Sequence, residues 1–134
     1  MSEMGLDWVR IGEFSWALVE TDRGRFAWEW LDEAIDTLGK AGLKVMLCTP
    51  TAAPPKWLVD EKPDILPVDA NGRTRGFGAR RHYCFSSEAY LQEATRIASA
   101  YAERYGRNRH VRAWQIDNEF NDHDTALSLS LIHI

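Results

Sequence analysis

An asparagine and a glutamate, Asn118 and Glu119, directly follow an apolar segment with the composition of a buried strand, residues 111–116. Partial burial at a strand end disfavours the charged form of a carboxyl group, which can then stay protonated near neutral pH. A protonated carboxyl in a cleft can act as a general acid toward the leaving oxygen of a glycosidic bond. The same position suits a carboxylate in a salt bridge or at the start of a helix. The Asn-Glu pair by itself does not decide between these interpretations.

Residues whose side chains could take part in catalysis or binding also follow the two other apolar segments of the chain. Glu13, Phe14 and Trp16 follow the first segment, and residues 49–55 follow the second, with an arginine-rich loop, residues 73–81, behind them. In barrels of parallel strands, functional groups lie just past the carboxyl ends of the strands. The three groups are therefore expected at one rim, where the arginine-rich loop either lines an acidic or hydroxyl-rich pocket or contacts phosphate.

The sequence contains six tryptophans, which bear on carbohydrate binding because large aromatic rings cover the flat CH faces of sugars. Trp16 and Trp57 lie in predicted rim loops, where sugar stacking and core packing explain them equally well. The other four lie in predicted strands or at a helix start and are interpreted as core residues: Trp8, Trp28, Trp30 and Trp114.

The spacing of apolar residues predicts the order strand, helix, strand, long loop, helix, strand. The strands are predicted at residues 8–11, 43–48 and 111–116, and the helices at residues 28–38 and from Ser86 or Ser87 to Gly106. Continuous apolar strands that alternate with helices indicate an α/β fold with a parallel sheet. All five prolines fall between residues 50 and 67, so residues 50–85 are predicted to be mostly irregular, as functional loops often are.

A closed (β/α)8 barrel has eight strand–helix units in roughly 250 residues, whereas this chain of 134 residues shows three such units. Too little sequence precedes Trp8 for a first strand and helix. The chain is therefore predicted to be a partial (β/α)8 TIM barrel that contains about strands two to four with their helices.

Charge and composition argue against several other classes of function. A net charge of −4 argues against a nucleic-acid partner, and no segment is apolar enough to span a membrane. The amino-terminal residues lack the features of a secretory signal, so a cytoplasmic location is expected.

Cys48 and Cys84 are expected to be reduced thiols, with Cys48 in the core. The group of Asp117–Glu119 with His123 and Asp124 has no recognised metal-binding spacing, which favours a solvated loop over a metal site.

Four blocks of this sequence resemble glycoside hydrolase family 42. They are RIGEFSW at residues 10–16, TPTAAPPKWL at residues 49–58, GFGARRHYC at residues 76–84 and WQIDNEF at residues 114–120. The blocks occur in the family's order with matching spacing, and the resemblance runs from about Met4 to about Ser130. It implies that residues 1–130 form an incomplete catalytic barrel domain, with residues 131–134 as an unmatched tail.

The family consists of retaining β-galactosidases, commonly trimers, so the resemblance implies a β-galactoside substrate and a homotrimeric complete protein. It implies that Glu119 is the general acid/base and that Asn118 and Arg80 bind the sugar at the scissile bond. Further candidates for substrate binding at the rim are Glu13, Trp16 and Trp57.

Two departures from the family pattern limit what this chain is expected to do alone. The family's nucleophile is a glutamate on a later strand, and retaining hydrolysis needs two carboxyl groups about 5 Å apart, so the chain alone is expected to be inactive. Its open sheet edges favour aggregation or partial unfolding. Some members hold zinc through a cysteine that matches Cys84 and a cluster after the acid/base. No cysteine follows Cys84 here, so no metal and no cofactor are expected.

Two alternatives remain open at this point. The strand-end Asn-Glu pair is shared across the barrel clan, so the complete protein could instead be a retaining β-glucosidase, β-mannosidase or α-L-arabinosidase. The other alternative is a carbohydrate-binding remnant without catalytic activity.

Overall fold

The computed structural model describes residues 4–69, 71–78 and 81–119. Helices separate the three strands that form its main sheet. In chain order the elements are strand β1 (Trp8–Ile11), helix α1 (Trp16–Val19), strands β2 (Glu20–Asp22) and β3 (Arg25–Phe26), helix α2 (Glu29–Lys40), strand β4 (Lys44–Cys48), helices α3 (Lys56–Glu61) and α4 (Glu88–Tyr105), and strand β5 (Val111–Gln115), with short 3-10 helices at Pro50–Ala52 and Pro63–Ile65.

Strands β1, β4 and β5 form one parallel sheet in the order β1-β4-β5. The α/β class and the parallel sheet are therefore confirmed. Ile11 lies beside Leu47, and Leu47 lies beside Trp114, so the three strands end almost level. Because parallel strands run in one direction, the residues that follow these three ends lie at the same edge of the sheet.

The two faces of the sheet differ in what covers them. Val45 and Leu47 on β4 are fully buried and belong to the apolar core with the helices. Trp8 and Arg10 lie at alternate positions of β1 and are exposed, since side chains of a strand alternate between faces. The prediction that Trp8 is a core residue is wrong, because 47% of it is exposed on the open face.

The predicted helices are confirmed, and their apolar stripes pack against the sheet. In α2, Leu31 and Ile35 are fully buried four residues apart. Helix α4 begins after Ser87, whose hydroxyl accepts a hydrogen bond from the Tyr90 amide at 3.3 Å, as a helix cap does. No helix among the described residues is long and apolar enough to cross a membrane.

The tryptophans of the helices and of β5 have mixed environments. Trp28 and Trp114 are half-buried and pack against the apolar core, in agreement with their interpretation as core residues. Trp30 is 39% exposed on the outer surface of α2, so its interpretation as a core residue is wrong.

The segment between residues 50 and 85 is less irregular than predicted. It contains α3 and two short 3-10 helices, and Pro50 and Pro63 stand in the first turn of those 3-10 helices. Proline is tolerated in a first turn because its missing N–H has no helical partner there. The prolines of this segment therefore start short helices rather than exclude them.

A hairpin of β2 and β3, which the spacing of apolar residues did not predict, precedes α2. Its inner anchor is Glu20, which is fully buried at the start of β2. The Glu20 carboxylate accepts hydrogen bonds from Trp16 Nε1 at 2.9 Å, from the Gly24 amide at 2.7 Å and from Arg96 Nη2 at 2.8 Å. These contacts tie the hairpin to α4.

A second buried carboxylate, Glu93 on α4, binds three cations at the same place. Lys62 Nζ lies 2.8 Å from it, Arg96 Nε 2.9 Å and Arg23 Nη1 3.0 Å. Burial alone would raise the pKa of Glu93, but these hydrogen bonds outweigh it and lower the pKa from 4.5 to about 2. The folded state therefore favours the charged form of Glu93 more than the unfolded chain does.

We expect the hairpin to loosen in acid because of Glu93. A lowered pKa contributes stability that is complete above the unfolded pKa of 4.5 and is lost as the pH falls toward 2. The shift corresponds to about 3 kcal/mol as an upper bound. Hydrogen exchange of the amides of residues 20–27 in the full-length protein would measure it after correction for intrinsic rates. With Glu93→Gln, the pH dependence of protection should weaken, and the remainder should come from Glu20, where burial raises the pKa but hydrogen bonds from Arg96 and its neighbours lower it by more. An unchanged pH dependence would contradict the assignment.

Candidate active site

A cavity of about 580 Å³ lies at the carboxyl edge of the sheet. Its lining comes from β1, from the residues that follow each of the three strands, and from the loop before α4. The lining residues are Arg10, Phe14, Ala52, Ala53, Gly78, Arg81, His82, Asn118 and Glu119. The three groups of strand-end residues predicted to share one rim therefore do so.

Glycine 12 allows the chain to turn sharply at the end of β1. Its φ of 95° lies in the left-handed region, and an added Cβ would lie 3.2 Å from Cδ1 of Leu47. Both features favour glycine, which has no Cβ to clash. This turn brings Phe14 to the cavity.

Glu119 and Asn118 both line the cavity, as the sequence predicts for a catalytic pair. Glu119 is exposed, so the expectation that the strand end itself buries this carboxyl group is wrong for the described residues. The physical reason is that one side of the sheet edge is open here. The backbone at Glu119 has a φ of 49°, an uncommon conformation for this residue type.

Asp117, directly before this pair, is buried and accepts hydrogen bonds at both carboxylate oxygens. Oδ1 accepts from the Tyr83 hydroxyl at 2.9 Å, and Oδ2 accepts from Thr51 Oγ1 at 2.9 Å. Oδ2 also lies 3.2 Å from the Tyr90 hydroxyl, whose one hydrogen it shares with the Thr51 carbonyl oxygen at 3.0 Å. The Asp117 amide donates to Thr49 Oγ1 at 2.8 Å. Sequence reasoning considered Asp117 only as part of a metal-like cluster and missed this network.

Burial keeps the two tyrosines of the network neutral. Desolvation raises the pKa of Tyr83 and that of Tyr90, and the nearby charge of Asp117 raises both further. The two rings stack with their centroids 4.5 Å apart. Both hydroxyl groups therefore remain hydrogen-bond donors to Asp117 over the physiological pH range.

Arg81, in the loop before α4, contacts the backbone of Asn118. Its Nη2 donates to the backbone oxygen of Asn118 at 2.6 Å. Arg81 is only 8% exposed and its Nη1 has no hydrogen-bond partner in the described part of the chain. His82 beside it lies 3.0 Å from the Pro54 carbonyl through Nε2.

On the open face, Arg10 links the ends of β1 and β5. Its Nη1 donates to Gln115 Oε1 at 3.0 Å and its Nη2 to Glu13 Oε1 at 3.2 Å. Glu13, predicted as a substrate-binding candidate, is half-buried beside the cavity in this ion pair.

Burial, and next the charge of Glu13, raise the pKa of the Cys48 thiol to about 11, so Cys48 stays protonated.

The two tryptophans predicted at the rim do not line the cavity. Trp16 is fully buried in α1, where its Nε1 donates to Glu20, because its ring packs under the hairpin. Trp57 is half-buried in α3, donates from Nε1 to the Glu20 backbone oxygen at 3.0 Å, and carries Arg23 above its ring. Of the two interpretations left open by the sequence, full burial favours core packing for Trp16. Sugar stacking by Trp57 stays a prediction. Phe14, 59% exposed, is the aromatic residue at the cavity.

Several predicted positions lie outside the described residues. They are Arg80, His123, Asp124 and residues 131–134. Cys48 and Cys84 are both buried and free, as expected. No group of three His, Cys, Asp or Glu side chains within the described ranges could hold a metal ion.

Comparisons with known proteins agree with this geometry. The sequence model of glycoside hydrolase family 42, described as β-galactosidase, matches residues 1–131. A β-galactosidase of Thermus thermophilus is 62% identical over 125 residues, which are 93% of this chain and 19% of that relative. The chain thus spans about a fifth of the length of the relatives that it matches.

Solved structures match over the same part of the chain. The crystal structure of the β-galactosidase from the psychrophilic Marinomonas ef1 matches with a TM-score of 0.90 and 54% identity, over 93% of this chain and 19% of that one. The polyextremophilic β-galactosidase from the Antarctic haloarchaeon Halorubrum lacusprofundi matches with a TM-score of 0.89 and 54% identity, over the same shares.

Proposed function

The chain belongs to glycoside hydrolase family 42, the β-galactosidase family, and from this premise we propose that it supplies part of the catalytic barrel of a retaining β-galactosidase. In this proposal residues 1–130 form about strands two to four of a (β/α)8 TIM barrel. The open face with Trp8 and Arg10 becomes part of the barrel interior. Neighbouring strands then pair with the free edges of β1 and β5.

The observation that carries the proposal is the convergence of three strand ends on one cavity that Asn118 and Glu119 line. Barrel enzymes place their catalytic groups at this edge. The cavity also presents Phe14, an exposed aromatic ring, beside these polar groups. An aromatic surface next to convergent polar groups suits a sugar ring.

In the proposed mechanism Glu119 is the general acid of the first step and the general base of the second. It first donates its proton to the departing glycosidic oxygen while a second carboxylate attacks the anomeric carbon and forms a galactosyl–enzyme ester. The leaving alcohol departs, and Glu119, now ionised, takes a proton from water, which attacks the anomeric carbon and releases galactose. Asn118 and Arg80 bind the sugar at the scissile bond. The remaining barrel strands cover the open side of Glu119 and favour its protonated form.

The second carboxylate is proposed to come from outside this chain. Within residues 4–119 as far as the structure describes them, two other carboxylates stand at this edge of the sheet, and both already have a structural role. Asp117 accepts hydrogen bonds at each oxygen, and Glu13 pairs with Arg10. The chain alone is therefore proposed to be inactive. Separately, from its family, the complete protein is proposed to be a cytoplasmic homotrimer.

A panel of nitrophenyl glycosides would test the substrate class in the full-length protein. We expect kcat/KM for the β-D-galactoside to exceed that for the β-D-glucoside, its C4 epimer, and for the β-D-mannoside, inverted at C2 and C4, by about 100-fold, because polar groups that bind one hydroxyl discriminate against the inverted hydroxyl. The α-L-arabinopyranoside keeps the ring hydroxyls of galactose and lacks only the hydroxymethyl group, so kcat/KM for it should be lower by about 10-fold. Preference for another sugar would identify a different retaining glycosidase. Binding of galactose without hydrolysis of any substrate would instead favour a carbohydrate-binding remnant.

A further inference from the structure

The peptide groups on both sides of Asn118 are held by two side chains, that of its neighbour Asp117 and that of Arg81 in the loop before α4. The Asn118 amide donates to Asp117 Oδ1 at 2.6 Å, and the Asn118 carbonyl accepts from Arg81 Nη2 at 2.6 Å. The position of Glu119 depends on these contacts because the Asn118 carbonyl belongs to the peptide bond that precedes Glu119. A shift of this peptide would displace the Glu119 side chain.

Asp117 is in turn held by donors from three separate segments. Thr51 belongs to the 3-10 helix after β4, Tyr83 to the loop before α4, and Tyr90 to α4 itself. All three donate hydroxyl hydrogen bonds to its carboxylate. Since an ionised carboxylate only accepts hydrogen bonds, this arrangement matches aspartate and no neutral isostere.

The backbone of this segment has two left-handed residues that flank Asn118. The φ angles are 57° at Asp117 and 49° at Glu119. Aspartate tolerates this region through local hydrogen bonds, whereas glutamate rarely adopts it without support from its surroundings. Such a conformation persists only where neighbouring contacts hold it.

On the basis of the proposed function, we propose that Asp117 is a positioning residue for the general acid. Together with Arg81 it holds the peptide groups around Asn118, and so fixes the direction from which Glu119 meets the glycosidic oxygen. Asp117 is buried beneath the cavity and is not among its lining residues. It acts through Glu119 and not on the sugar.

Asp117→Asn in the full-length protein tests this role. The amide NH₂ would replace one acceptor oxygen and face hydroxyl or amide donors, so the turn should relax. For lactose, whose leaving alcohol needs protonation, kcat should fall by about 10- to 100-fold, because a small misplacement of a catalytic group reduces the rate by about this factor. For 2,4-dinitrophenyl β-D-galactoside, which needs no proton, the first step should fall less than about threefold. KM for lactose should stay within about twofold. For the activated galactoside, slower attack by water, which also uses Glu119, should lower kcat and KM together.

Single hydroxyl deletions provide a graded series that keeps the shape of the site. Tyr83→Phe and Tyr90→Phe each remove one donor to Asp117, and both should show a smaller loss with the same substrate pattern. Tyr105→Phe is the matched control, because the Tyr105 hydroxyl donates to another carboxylate, Asp32, at 2.8 Å and lies outside the cavity lining. Its kcat for lactose should remain at the unmodified level.

The outcomes separate the positioning role from the proposed function. Equal losses on lactose and in the first step with the activated galactoside in all three variants would overturn the role of Asp117 while leaving the enzyme a galactosidase. Unchanged kinetics in Tyr83→Phe, Tyr90→Phe and Asp117→Asn would overturn it as well. Absence of galactosidase activity in the unmodified full-length protein would refute the proposed function itself.

Discussion

Replacing Glu119 with alanine should lower kcat/KM for lactose by about 1,000-fold in the full-length protein, since general acid catalysis contributes roughly 10²–10⁴-fold. Asn118 and Glu119 line the cavity together, so the sugar should still bind. Formation of the galactosyl–enzyme from 2,4-dinitrophenyl β-D-galactoside should be nearly unaffected because dinitrophenolate leaves without a proton. A rapid burst of dinitrophenolate followed by slow turnover would reveal this asymmetry in stopped-flow measurements.

The slow phase after the burst has its own diagnostic value. Without Glu119 no base activates water, so a small anionic nucleophile such as azide should restore turnover and yield galactosyl azide. Glu103→Ala is a suitable control, since Glu103 is an exposed glutamate on α4. Equal loss of rate on lactose and on the activated substrate would exclude Glu119 as the general acid.

Replacing Arg96 with methionine should detach the hairpin of β2 and β3 from α4. Arg96 is the cation shared by Glu20, which is fully buried, and Glu93, which is 5% exposed. Glu93 keeps Lys62 and Arg23, whereas Glu20 loses the Arg96 cation. Because the Arg96 side chain is 34% exposed, this loss costs about 2 kcal/mol rather than the full cost of breaking a buried pair. Locally this corresponds to a roughly 30-fold increase in the population of the open hairpin.

Limited trypsin digestion of the full-length protein would measure this opening. Arg25 lies in the hairpin and is well exposed. As long as the hairpin closes faster than trypsin cleaves it, the rate of cleavage after Arg25 should rise in proportion to the population of the open hairpin. Arg104→Met is the matched control on the same helix. Arg104 pairs with Asp32, both being about 40% exposed, so its loss should cost less than about 1 kcal/mol. Indistinguishable cleavage rates in the two variants would show that Arg96 does not anchor the hairpin.

The main elements of the fold were predictable because their signals are local and periodic. Strands β1, β4 and β5 were predicted from short apolar runs, and α2 and α4 from apolar stripes. The structure confirms the end of α4 at Gly106. The 3-10 helices after prolines were not predicted, since short helices depend on contacts more than on periodicity.

The placement of aromatic residues shows where sequence reasoning stops. Phe14 and Trp16 are two residues apart and equally suited to a sugar, yet Phe14 faces the cavity and Trp16 is fully buried. The difference arises because Trp16 donates to Glu20, and Glu20 is held by Arg96 from a helix 76 residues away along the chain. No local pattern contains that information.

The sequence by itself determined that a glutamate and an asparagine follow the last strand, since side-chain types and strand ends can be identified along the chain. Only the tertiary structure decided what holds them. Asp117 receives its hydrogen bonds from Thr51, Tyr83 and Tyr90, residues from segments that are distant in sequence. Parallel strands bring distant segments to one edge, so the partners of a buried carboxylate emerge only when the sheet is formed.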